Sequence, residues 1–352
     1  MKHSLFFHLL SMLLGTLLFG SCASCVVDKS PLLHTSSGAL LRVADPCVWQ
    51  ADGLYYLSAS DEAHHGFCYY TSRDLQVWDS CGILFSVPDD EPVRTMLWAS
   101  EVAAHDGKYY LTYSGWNPRT NNLTISLAVA TSPAGPFLLV ASPWISVESH
   151  NVIDANLFWD WDGTPYVYLS ENGGFDGYAG GELRVARLQS DMSGLVTPLF
   201  HVCDTFEEWE LRMAKPCDHC NEAPEVFRVD TTYYMLYSAN ETHNGHYGMG
   251  VQTAPTPLGP WTKEPSNPLL QTDYEGSRRP CGLPVVSSPG HGGVIPSRCS
   301  ADAPADYSSG WIIYHRHAPW VEAYPSNDRV TCLTTYRIVD GKLRIPTDWK
   351  RE

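Results

Sequence analysis

Gly53-Leu54-Tyr55-Tyr56-Leu57-Ser58 and Gly107-Lys108-Tyr109-Tyr110-Leu111-Thr112 are two copies of one phrase, a turn residue followed by an aromatic-rich apolar run. Three more copies follow: Gly163-Thr164-Pro165-Tyr166-Val167-Tyr168, Thr232-Tyr233-Tyr234-Met235-Leu236-Tyr237 and Gly310-Trp311-Ile312-Ile313-Tyr314-His315. Each reads as a tight turn entering a strand. The copies stand roughly 55 to 80 residues apart, the spacing of an array of sheet units. A second phrase trails the first: Thr71-Ser72-Arg73-Asp74-Leu75-Gln76-Val77-Trp78, Thr131-Ser132-Pro133-Ala134-Gly135-Pro136-Phe137 and Thr253-Ala254-Pro255-Thr256-Pro257-Leu258-Gly259-Pro260-Trp261. It marks the end of a third strand, a turn, and the start of a fourth. Five units of four strands predict an all-β chain folded as a five-bladed β-propeller, whose radial repetition leaves only short sheet edges. The competing architecture, a β-sandwich, would show no repeated two-part unit. A helical turn or two is expected only at 206–213.

Of the 352 residues, 44% are hydrophobic and 18% charged, ample for a buried core. No composition break follows residue 40. One propeller domain is therefore expected over 41–352, after a lead-in at 24–40. A net charge of -16 argues against nucleic acid and against an anionic membrane surface, both of which would be repelled. The 12 Trp and 19 Tyr suit half-buried sheet surfaces, and an exposed one in a cleft suits stacking on a sugar ring.

Residues 1–23 read as a secretory signal. Met1-Lys2-His3 is basic, Leu5 to Phe19 is a short apolar core, and small residues surround Cys22 and Ala23. The run is too short and too broken by Ser11 and Gly15 for a membrane span. Cleavage after Ala23 is favoured over lipidation of Cys22, so the expected location is extracellular. Eleven Cys in an exported chain point to disulfides, with either a local disulfide or two separate bridges expected at Cys217-Asp218-His219-Cys220. Zinc is disfavoured there, because no second Cys or His pair stands at ligand spacing. Asn122-Leu123-Thr124 and Asn240-Glu241-Thr242 are glycosylation triplets, expected to carry glycans in a eukaryotic secretory path.

An acidic residue or His stands upstream of each strand-entry phrase: Asp45, Glu101, Asp154, Glu222 and His291. Equivalent innermost positions of a propeller ring one axis, so five repeats would deliver these side chains to one pocket. Carboxylates crowded together oppose each other's ionisation, an arrangement suited to proton transfer.

In order along the chain stand Ala44-Asp45-Pro46, Trp98-Ala99-Ser100-Glu101-Val102, Ile153-Asp154 with Phe158 and Asp162-Gly163, Glu222-Ala223-Pro224, and Gly290-His291. From about residue 42 to about 345 this pattern resembles glycoside hydrolase family 43, five-bladed enzymes acting on arabinose- and xylose-containing glycans. The resemblance implies Asp45 as general base, Glu222 as general acid and Asp154 as the residue that orients the acid and tunes its pKa. It implies inversion at the anomeric carbon, with Trp98 as a stacking wall and Glu101 and His291 at the substrate. It also implies that His291 helps to hold a calcium ion or a water cluster beneath the sugar; an ordinary buried His is the equal alternative. No cofactor is required, and a structural calcium is the one ion suggested. The family commonly has Gly at the place of Ala223 and Pro-Asp at the place of Ser100-Glu101, departures that touch subsite detail more than chemistry. Glu225 is a rival acid, disfavoured because residues three apart on a strand face opposite ways.

The expected activity is hydrolysis of plant or algal polysaccharide-derived glycans, as an α-L-arabinofuranosidase or β-xylosidase. The alternatives are a carbohydrate-binding propeller without catalysis and a related propeller glycosidase for galactan or fructan. The fructan enzymes rely on Asn-Asp-Pro-Asn-Gly-type and Arg-Asp-Pro motifs that do not occur here. An oligosaccharide or polysaccharide is the expected partner, the chain acting as a monomer. Specificity is expected in the loops 171–181, 241–247 and 316–324.

Overall fold

Asp52-Gly53, Asp106-Gly107 and Asp340-Gly341 carry φ values of 51° and 72°, 47° and 68°, and 51° and 70°. Two consecutive left-handed residues make the tight hairpin turn whose twist matches that of the strands it joins. In this computed structural model, which describes residues 32–60, 65–173, 180–213, 219–300 and 303–345, such hairpins build five antiparallel sheets.

Blade one holds β2 (Ala44–Ala51), β3 (Leu54–Ser60), β4 (Gly66–Ser72) and β5 (Val77–Ser86), with the short β1 (His34–Thr35) parallel to β5. Blade two is β6 (Thr95–His105), β7 (Lys108–Asn117), β8 (Asn122–Ala130) and β9 (Leu138–Ile145). Blade three is β10 (His150–Trp159), β11 (Pro165–Gly173), β12 (Gly181–Arg187) and β13 (Phe200–Cys203). In blade four, β14 (Asn221–Val229), β15 (Thr232–Ala239) and β16 (Gly248–Ala254) are followed by β17 (Thr262–Lys263) and β18 (Leu270–Gln271), both paired with β16. Blade five is β19 (Gly290–Ser300), β20 (Ala303–His317), β21 (Arg329–Val339) and β22 (Lys342–Arg344). The expected helical turn is a 3-10 turn at Glu208–Leu211. No described helix is long and apolar enough to cross a membrane.

The first strand of each blade touches the first strand of the next, and β19 touches β2, so the five inner strands close a ring about one axis. The core lies between blades: Trp49 and Phe67 pack on Leu111 and Tyr113, for example, and Tyr234 and Leu236 pack on Ile312 and Tyr314. The lead-in helps to close the ring. Leu33 donates to the Thr331 carbonyl of blade five at 3.1 Å, and Thr331 donates back to Leu41 at 3.0 Å.

Every inner strand carries the same irregularity. Pairing with the second strand slips between Ala44 and Cys47, Trp98 and Glu101, Ile153 and Asn156, Glu222 and Glu225, and Gly290 and Gly293. Inside each slip one residue is left-handed: Asp45, Ala99, Asp154, Ala223 and His291, with φ between 44° and 57°. Such a conformation costs a non-glycine residue roughly 1–2 kcal/mol, and what it gains is an amide turned toward the neighbouring blade. The amide of Ala99 donates to Ser60 Oγ at 2.8 Å, that of Asp154 to Ser114 Oγ at 3.1 Å, and that of His291 to Ser238 Oγ at 2.8 Å. At the ring's closing joint Asp45 donates to His315 Nδ1 at 3.1 Å. Between blades three and four the acceptor is the Asp154 carboxylate, Oδ2 lying 3.1 Å from the Ala223 amide.

Two expectations about the surface are corrected. Asn122 and Asn240 are 1% and 1% exposed, so neither triplet can carry a glycan in the folded chain. The Asn122 amide is spent on the carbonyls of Val147 and His150, and that of Asn240 on Trp209. The cysteine count overstated the disulfides, because Cys47, Cys81, Cys203, Cys220, Cys281 and Cys299 are free thiols. Cys47 Sγ accepts the Val102 amide, and Cys203 Sγ takes the side-chain amides of Asn221 and Gln252, so these two thiols have other partners. Residues 1–31, with the signal and Cys22 and Cys25, lie outside the described residues, as does Cys217.

The cross-blade amide bond makes a stability prediction. Ser238→Ala buries the His291 amide without an acceptor and should cost about 1–3 kcal/mol. Ser37→Ala, in the exposed lead-in, should stay within about 0.5 kcal/mol. Urea midpoints of the two variants decide it; an unmoved midpoint for Ser238→Ala would remove this bond from the account of closure.

Candidate active site

A cavity of about 620 Å³ opens at one end of the axis, and Asp45, Trp98, Asp154, Glu222 and His291 all stand in its wall. Asp45, Asp154 and His291 get there as left-handed residues of blades one, three and five. Trp98 and Glu222 sit one residue earlier, before the left-handed Ala99 and Ala223. The mouth is bounded by Asn172, Gly173, Gly180 and Gly181 on one side and by Glu241, Thr242, His243, Asn327 and Arg329 on the other. Loops 171–181 and 241–247 thus meet the cavity as expected, although residues 174–179 lie outside the described residues. Loop 316–324 is not in the wall; the segment just after it is.

Glu101, expected at the substrate, is not in the wall. The equivalence drawn from sequence was two residues out of phase, because the bulge gives blade two's axial position to Ala99. Glu101 falls one layer deeper, level with Cys47, Asn156, Glu225 and Gly293 in the other blades. There the Asn156 amide bridges two carboxylates, donating to Glu101 at 3.1 Å and to Glu225 at 2.5 Å. Burial pushes the Glu101 carboxyl up to about 7 and raises Glu225 well above the usual range, with the Glu101 charge adding to the latter. Glu225 is absent from the wall as well, which leaves Glu222 as the carboxylate of blade four's inner strand that faces the cavity.

Three carboxylates of the wall, Asp45, Asp154 and Glu222, differ in their surroundings, while the fourth, Glu241, is held low chiefly by its hydrogen bond from His243. Burial alone would raise Asp45, but the Arg329 guanidinium first, and then His291, hold it well below the usual carboxylate range. Arg329 Nη1 stands 3.2 Å from Oδ1, His291 Nδ1 stands 3.3 Å from the same oxygen, and Ser60 donates to Oδ2. His315, pushed down to about 3 by burial and by Arg329, is a neutral ring. Its Nδ1 accepts the Asp45 amide, so its proton sits on Nε2, 3.3 Å from Thr242 Oγ1.

Asp154 and Glu222 are raised instead. Burial is the first cause for both, and the charges of Glu222, Asp45 and Glu101 push Asp154 further. Asp154, Glu222 and His291 each present an atom within 4.8 Å of the others. Two carboxylates so close in a buried wall oppose each other's ionisation, so the pair gives up its protons less readily than free carboxyls do. Tyr247 donates to Glu222 Oε1 at 2.6 Å, and the Cys220 thiol lies 3.5 Å from Oε2. This trio does not suit calcium, which prefers six to eight oxygens.

Arg329, His315 and Tyr247 were not singled out from sequence. One signal was there for His315. Three residues beyond Leu57, Leu111, Val167, Met235 and Ile312 stand Ser60, Ser114, Ser170, Ser238 and His315, a column of the repeat in which the last member alone can accept through an imidazole. Arg329 and Tyr247 open the third strand of blade five and precede that of blade four, where the repeat has no fixed residue.

The chain matches the family model of glycosyl hydrolases family 43 over residues 40–343. It is 26% identical over 339 residues to a β-xylosidase of Xylanibacter ruminicola, covering 85% of this chain and 92% of that one. Among solved structures, a thermostable family-43 glycoside hydrolase superposes with a TM-score of 0.73 at 30% identity, over 88% of this chain and 95% of that one. An endo-1,4-β-xylanase from Bacteroides thetaiotaomicron gives 0.69 at 31% identity, over 87% and 94%.

The Asp45 environment makes a pH prediction. If Asp45 must be ionised to act, turnover falls as pH drops through its depressed pKa. Arg329→Met removes the largest cause of that depression, so the low-pH limb of kcat/KM should move to higher pH. A limb that stays in place would mean that Arg329 does not govern the ionisation on which turnover depends.

Proposed function

The chain belongs to family 43 of the glycoside hydrolases, and from that premise we propose that it inverts the configuration of a terminal pentose, with Asp45 as base and Glu222 as acid. One observation carries the reading: the wall of a single cavity holds Asp45, whose pKa is driven down, together with the pair Asp154 and Glu222, whose pKa values are driven up. Inverting hydrolysis needs that division, since one group must accept a proton while the other gives one. Asp45 takes the proton of a water attacking the anomeric carbon, and Glu222 gives its proton to the departing glycosidic oxygen. Asp154 holds the Ala223 amide beside Glu222 and keeps the acid's proton in place by its charge. Trp98, half-buried in the wall, offers a face for the sugar to stack on.

Xylose and arabinofuranose are the sugars this reading favours, supported by the names of the relatives. A calcium ion has no part in the reaction. The protein is taken to act as a monomer, exported by residues 1–23 and starting at Ser24; intact mass showing a diacylated Cys22 would replace export by anchoring.

The mechanistic test uses leaving groups. Asp45→Asn should abolish turnover even of dinitrophenyl glycosides, because water still needs its base. Glu222→Gln should lose about 10²–10⁴-fold on xylo- or arabino-oligosaccharides and far less on dinitrophenyl glycosides, whose leaving group departs without a proton. The first-formed product should have inverted configuration by NMR. A retained anomer would make Asp45 a nucleophile, and binding without any release of reducing sugar would make the chain a carbohydrate-binding propeller.

A further inference from the structure

Tyr247 is the buried titratable group at the site that the mechanism above leaves without a role. It is 1% exposed, and its position is set from two sides. Its ring lies parallel to that of His315, centroids 5.7 Å apart and planes 6° from parallel. Against another part of the ring lies the backbone of Gly290, where an added Cβ would fall 2.2 Å from the tyrosine Cε1. Gly290 is not among the positive-φ glycines, so glycine is needed there for space rather than for conformation. The ring cannot swing without disturbing blade five, and its hydroxyl meets Glu222 Oε1 at 2.6 Å.

We propose that Tyr247 is a positioning residue that fixes Oε2 of Glu222 as the oxygen bearing the transferable proton, and thereby directs the leaving group to the side of the cavity lined by Cys220, Gly180 and Gly181. This rests on the assignment of Glu222 as the acid. A phenol hydroxyl has one hydrogen, and Oε1 is its acceptor. An oxygen that accepts that bond is the carbonyl-like one of a protonated carboxyl, so the acid proton belongs on Oε2. Oε2 faces Cys220, whose thiol donates to it from 3.5 Å; a thiol is a far weaker donor than the Tyr247 phenol, so this contact yields to a protonated Oε2 and is displaced by a glycosidic oxygen. In the step itself the Oε2–H bond breaks as the glycosidic oxygen takes the proton, and the anomeric C–O bond breaks with its electron pair going to that oxygen. The water proton goes to Asp45. The Tyr247 bond remains on the carboxylate that forms, where a bond to a charged acceptor is stronger.

The charged and titratable groups facing Glu222 are Tyr247 from the lead into β16, Cys220 before its own strand, Asp154 of β10, His291 of β19 and Asp45 of β2. Burial raises its pKa, and the Tyr247 hydrogen bond is the first influence holding it down. Removing the hydroxyl therefore makes Glu222 a weaker acid that keeps its proton to higher pH.

The test compares Tyr247→Phe with the unaltered enzyme on xylobiose and on 2,4-dinitrophenyl β-D-xyloside, or on the arabinofuranosyl counterparts if those are the sugars taken. The disaccharide should lose about 10-fold in kcat, within the 10²–10⁴-fold that a general acid supplies. The dinitrophenyl substrate should change less than about 2-fold, and the high-pH limb of kcat/KM should move to higher pH. Gly290→Ala, which presses a methyl onto the ring, should give the same split between substrates. Equal losses on both substrates, or a high-pH limb that stays put, would mean that Tyr247 only fills space. Glu222→Gln on the same pair separates the two readings. If it splits the substrates and Tyr247→Phe does not, only this inference falls; if it strikes both equally, Glu222 is not the acid and both fall.

Discussion

Everything at the centre of this molecule hangs on one local device, a left-handed residue in each inner strand whose amide reaches across to the next sheet. Five flat sheets could pack side by side through their apolar faces alone, but nothing in such packing would fix their register about the axis. The bulge does so, because the turned amide needs an acceptor at one height. Ser60, Ser114, Ser238 and His315 provide it at four joints, and the carboxylate of Asp154 provides it at the fifth. The strain is therefore tied to function: three of the five strained residues are Asp45, Asp154 and His291, all in the cavity wall. Strained backbone that persists because its surroundings over-determine it is common at functional sites.

The hairpin phrases were legible because a hairpin is local; Gly53 or Gly107 needs only its own neighbours to form its turn. Blade count and strand count followed from the order of those phrases, and the resemblance to family 43 singled out Asp45, Asp154 and Glu222, which the structure places in one cavity wall. The phase of the bulge was not legible. Whether Ala99 or Glu101 meets the axis depends on which residue turns left-handed, and a chain reading Trp98-Ala99-Ser100-Glu101 offers a carboxylate that looks equivalent and is not. The glycosylation triplets failed for a similar reason. Asn122 and Asn240 carry the right three letters, and depth rather than spelling decides their use. Arg329 and Tyr247 lay in segments without a repeat, so only the folded ring could bring them to the carboxylates.

Ring closure also decides which carboxylate does what. Blade five is the last in sequence and becomes the neighbour of blade one only because the ring closes. It brings His291, His315 and Arg329 with it, and Asp45 is the carboxylate they reach. Asp154 and Glu222, on the adjacent blades three and four, have each other and Asp45 as charged neighbours, with His291 offsetting them from one side. The Arg329 charge thus stands at one joint and surplus negative charge at another, across a single cavity. Chemically similar side chains are driven in opposite directions by that asymmetry, Asp45 down and Asp154 and Glu222 up.

The same geometry explains why the two roles are mechanically linked. His315 accepts the amide of Asp45 through Nδ1 and carries the ring of Tyr247 on its face, while Tyr247 holds Glu222. One imidazole, kept neutral by its burial, therefore sits between the base and the acid without titrating itself. A protonated ring there would lose its lone pair at Nδ1 and with it the acceptor of the Asp45 amide. Neutrality of His315 is consequently a structural requirement of the joint, and Arg329, which helps to depress its pKa, also holds Asp45 ionised. A single guanidinium thus serves both conditions: it helps to keep Asp45 charged, and it helps to keep the ring between Asp45 and Tyr247 uncharged.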